Sequence, residues 1–141
     1  MIAPAFLRIG NILSVCYEEG LKPHTVEILQ ADLVHLSGRK EADDPRDLIG
    51  LPVTKDFLLH NNFKELLLRH QFITIINKTF IRVEFVGEAG SLLVYVNKAK
   101  YSFKYIHELQ NILLYAAGWE MTYPFQNVLN PLIKEDCGKP E

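Results

Sequence analysis

The feature that most constrains this chain is the run from Asn97 to Met121, NKAKYSFKYIHELQNILLYAAGWEM, where a strand-like stretch passes into a strongly periodic helix. From Tyr105 onward, Ile106, Leu109, Leu113 and Ala116 recur at steps of three and four, and Ile112 and Ala117 widen the stripe, so one helical face is apolar. That face needs a sheet to lie on. Gly118 is placed to take the positive φ that closes a helix, and Trp119, Met121 and Tyr123 can fold back over the helix end.

The sheet is predicted upstream. Between Phe63 and Phe103, Phe80, Arg82 and Glu84 alternate with Ile81, Val83 and Phe85, and Leu92 to Val96 is a denser apolar run. Asn77-Lys78 and Gly87-Glu88-Ala89-Gly90 read as turns. An antiparallel sheet of three or four strands follows, its inner face receiving the helix. Before it, Thr54 is a good N-cap for a short helix over Lys55 to Asn61. Nearer the N-terminus, Leu7 to Tyr17, broken at Gly10-Asn11, and Thr25 to Leu36 show alternation, with a turn signal at Glu18-Glu19-Gly20. They predict a β-meander or small barrel-like set of strands.

The expected architecture is α+β in one domain over 1–141. It comprises a β-rich part over 6–37, an exposed loop over 38–47, a helix-sheet-helix part over 48–123 and a flexible tail over 124–141. The loop SGRKEADDPRD is nearly devoid of apolar residues and should be solvated, without a binding role. At 141 residues and 48% hydrophobic, the chain is long enough to bury about two thirds of its unfolded surface.

A formal charge of −2 argues against sequence-blind binding driven by phosphate neutralisation, but leaves room for a local basic patch. The only two cysteines, Cys16 and Cys137, lack zinc-ligand spacing, and a reducing cytosol with Cys16 as a buried thiol is the simplest expectation. No signal peptide and no apolar run near the ~20 residues of a membrane span are visible, so a cytoplasmic protein that does not enter membranes is expected.

Residues that could carry chemistry are few. The five histidines, His24, His35, His60, His70 and His107, fall on different elements with no ligand spacing, and the run Glu41, Asp43, Asp44, Asp47 departs from a calcium loop. There is no G-x-S-x-G elbow and no Walker loop. No metal, cofactor or enzymatic activity is therefore expected. Two surfaces remain. Lys78, Arg82, Lys98, Lys100 and Lys104 face only Glu84 and Glu88 in their stretch, and Tyr95, Tyr101 and Tyr105 are interleaved with them. Such a patch can meet RNA by phosphate contact and stacking, or simply protect a sheet edge. On the helix, His107, Gln110 and Asn111 form a polar cluster that is either a recognition surface or a set of ties to neighbouring backbone. The candidate partner-binding residues are thus Lys98, Lys100, Tyr101, Lys104, His107, Gln110 and Asn111.

Three stretches, LRIGN at Leu7 to Asn11, LIGLPVTKDFLLHNNF at Leu48 to Phe63 and KYIHELQNILLYAAGWEM at Lys104 to Met121, occur in this order. Together they resemble a family of small uncharacterised proteins encoded by bacteria and their phages. Gly50, Pro52 and Thr54 match its central signature, and His107, Leu109, Gln110 and Asn111 its last. Glu108 stands where the family usually has Gln, Ala117-Gly118-Trp119 replaces the usual ending, and Asn61-Asn62-Phe63 replaces a G-F pair. The resemblance implies an α+β fold and a phage or mobile-element setting, with no established activity. By analogy with other small phage proteins, the expected role is to bind, and to inhibit, a host protein or ribonucleoprotein such as a CRISPR effector. Direct RNA binding is the alternative. The oligomeric state is left open.

Overall fold

In the computed structural model, which describes residues 7–17, 20–30, 33–66, 70–86 and 91–122, the chain divides between Leu51 and Pro52 into two units. The first begins with a turn at LRIGN. Asn11 is buried, its Oδ1 accepts the Arg8 N–H at 2.7 Å, and Gly10 takes φ 95°. Gly10 N–H then donates to the Val26 carbonyl and Val26 N–H to the Asn11 carbonyl, so the turn also starts the sheet. β1 (Ile12–Ser14) pairs antiparallel with β4 (His24–Leu29) and β6 (Ile49–Gly50), and β4 pairs with β5 (Val34–Leu36), giving the order β5-β4-β1-β6. β2 (Cys16–Tyr17) and β3 (Gly20–Leu21) form a separate two-stranded ribbon. Of the two expected forms, a β-meander or a small barrel-like set of strands, no closed barrel is seen, and β2 and β3 leave the sheet between β1 and β4 and pair only with each other. Leu7, Leu13, Val15, Val26, Val34, Leu36 and Leu48 make the core of this unit.

The segment 38–47 belongs to this unit and is folded. Val34 and Asp43 exchange both backbone hydrogen bonds at 2.8 Å, a 3-10 turn runs over Pro45–Asp47 with Asp44 accepting from the Arg46 N–H, and Pro45 is buried. Gly38, Lys40, Glu41, Arg46 and Asp47 are exposed, while backbone groups of the segment are met by pairing with β5 and by side chains.

The second unit opens with α1 (Lys55–His60), where Thr54 Oγ1 accepts the Phe57 N–H at 3.2 Å as the sequence predicts. β7 (Lys64–Leu66), β8 (Gln71–Ile76), β9 (Thr79–Phe85), β10 (Leu92–Val96) and β11 (Ala99–Phe103) form one antiparallel sheet in chain order, one strand more than expected. Asn77 and Lys78 both take positive φ, the geometry of a two-residue I′ hairpin. α2 (Ile106–Ala117) lies against β10 and β11; its Ile106, Leu109 and Leu113 are buried, as are Val94, Val83 and Phe72 of the sheet. Each of those side chains contributes roughly 1.5–3 kcal/mol through burial.

Both ends of α2 are closed locally. Glu108 Oε1 accepts the N–H groups of Lys104 and Tyr105, which explains a carboxylate at this position. At the other end Gly118 takes φ 65°, and the N–H groups of Gly118 and Trp119 donate to Leu114 and Leu113. Trp119 packs on Phe63 and Met121 is buried, so the fold-back expected for them is present; Tyr123, the 87–90 turn and the tail 124–141 lie outside the described residues.

Candidate functional site

In an antiparallel sheet, residues directly opposite share a face, so the register of β7 to β11 sorts every side chain by side. One side carries Phe72, Ile81, Val83, Val94 and Val96, all buried. The other side carries a row that crosses all five strands: Lys64 opposite Ile73, Ile73 opposite Arg82, Arg82 opposite Tyr95, Tyr95 opposite Lys100. Beside it runs a second row, Leu66, Gln71, Glu84, Leu93 and Ser102. Towards the hairpin end Ile75 and Phe80 stand opposite each other, 68% and 42% exposed.

The row is organised electrostatically. The Arg82 guanidinium carbon lies 4.2 Å from the Tyr95 ring centroid, a cation–π pair. Arg82 Nε is 3.3 Å from Glu84 Oε1, an ion-pair distance without hydrogen-bond alignment, and Gln71 Nε2 donates to the same oxygen at 2.8 Å. The single carboxylate in these two rows is therefore already engaged. Lys64 and Lys100 stand exposed at the two edges, and Lys78 and Lys98 are exposed in the turns beside Phe80. The face thus presents cations and apolar surface together.

The predicted site residues are dispersed by the fold. Lys100 joins the row, and Lys98 sits at its hairpin end. Tyr101 does not, because it lies opposite Val94 and so on the packed side of the sheet. Lys104 follows β11 at the far end, where its N–H caps α2. His107 and Gln110 are 3% and 0% exposed, which corrects their assignment to a recognition surface: Gln110 Nε2 donates to the Met121 carbonyl at 3.2 Å, and the His107 ring stacks on Tyr105. Burial, slightly opposed by Glu108, lowers the His107 pKa to about 4, and its Nδ1 has no hydrogen-bond partner among the described residues. Asn111 is half-buried. The helix cluster is chiefly a tie to the segment after α2.

A polar constellation in the first unit was not foreseen. Tyr17 Oη lies 2.8 Å from His24 Nε2, and His24 Nδ1 lies 2.6 Å from the Ser37 carbonyl. Because a carbonyl can only accept, Nδ1 carries the proton and the Tyr17 hydroxyl donates to Nε2. Arg39 Nη1 donates to Tyr17 Oη at 2.9 Å while its Nε and Nη2 hold Asp43 at 2.6 and 2.8 Å. Burial lowers the His24 pKa, the Ser37 hydrogen bond opposes this, and Arg39 and Lys22 add to the lowering. Of these contacts only the i,i+4 spacing of Arg39 and Asp43 left a trace in the sequence. The network pins the β2–β3 ribbon and the 37–43 segment to β4.

Cys16, expected to be a buried thiol, is exposed in β2 and disulfide-bonded, its partner lying outside the described residues. Among the described residues no three His, Cys, Asp or Glu side chains gather as metal ligands, and no helix is long and apolar enough to cross a membrane. Compared with known proteins, the chain matches no protein-family model, no curated protein and no solved structure.

Proposed function

We propose that this protein works by binding and not by catalysis, docking the open face of its five-stranded sheet on a macromolecular partner. In the phage or mobile-element setting suggested by its sequence, that partner is a host protein or ribonucleoprotein whose work it blocks, a defence nuclease being the leading case. The observation that supports this reading is the Lys64-Ile73-Arg82-Tyr95-Lys100 row with Ile75 and Phe80 exposed beside it. Arginine and aromatic side chains in an apolar surround are the composition of interface centres. Ile75 and Phe80 stand as a directly opposed apolar pair left open beside the row.

The test is affinity capture of the full chain from host lysate, with and without nuclease, comparing wild type with the paired change Ile75→Asp and Phe80→Asp. A control pair, Leu114→Asp and Tyr115→Asp, alters exposed apolar residues of α2. The proposal expects the partner to be lost with the sheet pair and kept with the helix pair. The reverse pattern would place the contact on α2. This reading also keeps the protein in the host cytoplasm; a Cys16 disulfide that persists in growing cells would instead indicate an oxidising compartment.

A further inference from the structure

We infer that the open sheet face recognises single-stranded nucleic acid, an inference that rests on the docking face proposed above and names its partner. Three features of the two rows converge on this chemistry. Lys64, Arg82 and Lys100 lie in one line across five strands, about 19 Å from edge to edge at about 4.8 Å per strand. Against these three cations the two rows hold one carboxylate, Glu84, which also accepts from Gln71, so the line presents net positive charge to an anionic chain. Between the cations stand flat groups: the Arg82 guanidinium over Tyr95, and Phe80 two residues along the same strand, about 6.6 Å away at about 3.3 Å per residue.

Each flat group suits a base. Unpaired bases stack on aromatic rings and on arginine guanidinium planes, whereas a duplex keeps its base faces inside and would offer this shallow surface only phosphates. A duplex would leave Phe80 and Ile75 uncovered. An acidic peptide would satisfy the lysines but bring no ring to the Arg82–Tyr95 pair. With a net charge of −2 the chain has no overall attraction for an anionic strand, so affinity has to come from this local line.

The experiment uses the full chain and a fluorescein-labelled oligouridylate of about twelve nucleotides, with fluorescence anisotropy read at about 50 and 200 mM salt. Three phosphate contacts predict a log–log salt slope of about −2, and Lys100→Gln should make it shallower by about 0.7. Arg82→Lys keeps the charge and removes the plane, so it should weaken binding roughly 5- to 150-fold, the worth of one stacked base, with the slope unchanged. The same sequence as duplex should bind more weakly than the single strand. Unchanged melting curves show that the variants are folded. No binding of the single strand, equal binding of the duplex, tighter binding of a glutamate-rich peptide, or an Arg82→Lys variant indistinguishable from wild type would overturn the inference. Failure here combined with partner loss in the Ile75/Phe80 pair leaves the docking face standing with a protein partner; partner retention by that pair removes the docking face itself.

Discussion

The two units solve the same problem, holding short strands in register, by different means. In the second unit the strands follow one another in chain order, joined at Asn77-Lys78 and Asn97-Lys98 by two-residue turns, and α2 seals one side with an apolar stripe. In the first, β1 pairs with strands eleven or more residues away, and the connections are held by side chains: Asn11 at the turn, and the Tyr17-His24-Arg39-Asp43 network at the ribbon. Local pairing needs little besides turn chemistry and alternation, while pairing over longer separations must be specified by particular polar contacts. The difference predicts apolar truncation to dominate losses in the second unit and polar truncation to be felt in the first.

The largest effect is expected from Leu109→Ala, because Leu109 is fully buried between α2 and the sheet. It should cost roughly 2–5 kcal/mol in a denaturant melt. A melt superimposable on wild type would show that the stripe does not carry the second unit.

The second effect is one of pH. Burial holds the His107 pKa at about 4 when folded, while the unfolded chain binds the proton near the ordinary histidine value of 6.5. The unfolded state thus carries more protons in this window, and stability present above pH 6.5 is lost as pH falls towards 4, by up to about 3 kcal/mol. His107→Leu should flatten that part of the stability profile, measured by urea melts at several pH values. A profile as steep as wild type would assign the acid sensitivity to other groups, His24 first, since its pKa is shifted in the same direction.

A smaller loss is expected for Tyr17→Phe, which leaves Arg39 Nη1 and His24 Nε2 without the phenol oxygen. About 1 kcal/mol is the ordinary cost of one such hydrogen-bonding group. If amide exchange then quickens in β2, β3 and 37–43 but not in β7 to β11, the network is what orders the first unit. Uniform protection would deny it that role.

The smallest change belongs to Lys98→Glu and Lys104→Glu, exposed at opposite ends of the second unit. Each should alter stability by less than about 0.5 kcal/mol, since exposed charges contribute little. A larger shift in either melt would mean that the charge is engaged in the fold and not held on an open surface.

Much of the second unit was legible in the sequence because its rules are local. The i, i+3, i+4 apolar spacing of α2, its closure at Gly118, the Thr54 cap and the Asn77-Lys78 turn each depend on residues within a few positions of one another. The α+β class followed from them. The fifth strand did not, because Lys64 to Leu66 is exposed on every residue and carries no alternation. The candidate site was half legible: the basic, aromatic stretch was visible, but which of its members share a face depends on a period of two carried through cross-strand register, and this separates Lys100 from Tyr101 although they are neighbours in sequence.

What the sequence alone determined is therefore the helix, the Asn77-Lys78 turn and the presence of a basic, tyrosine-bearing stretch, since each is encoded within one turn or one alternation. Only the tertiary structure decided that His107 and Gln110 are interior, that Asp43 pairs with Val34, and that Lys64, Arg82, Tyr95 and Lys100 line up across five strands. Burial and cross-strand neighbours are properties of pairs far apart in the chain, and a linear pattern carries the preferences of each partner but not which partner it meets.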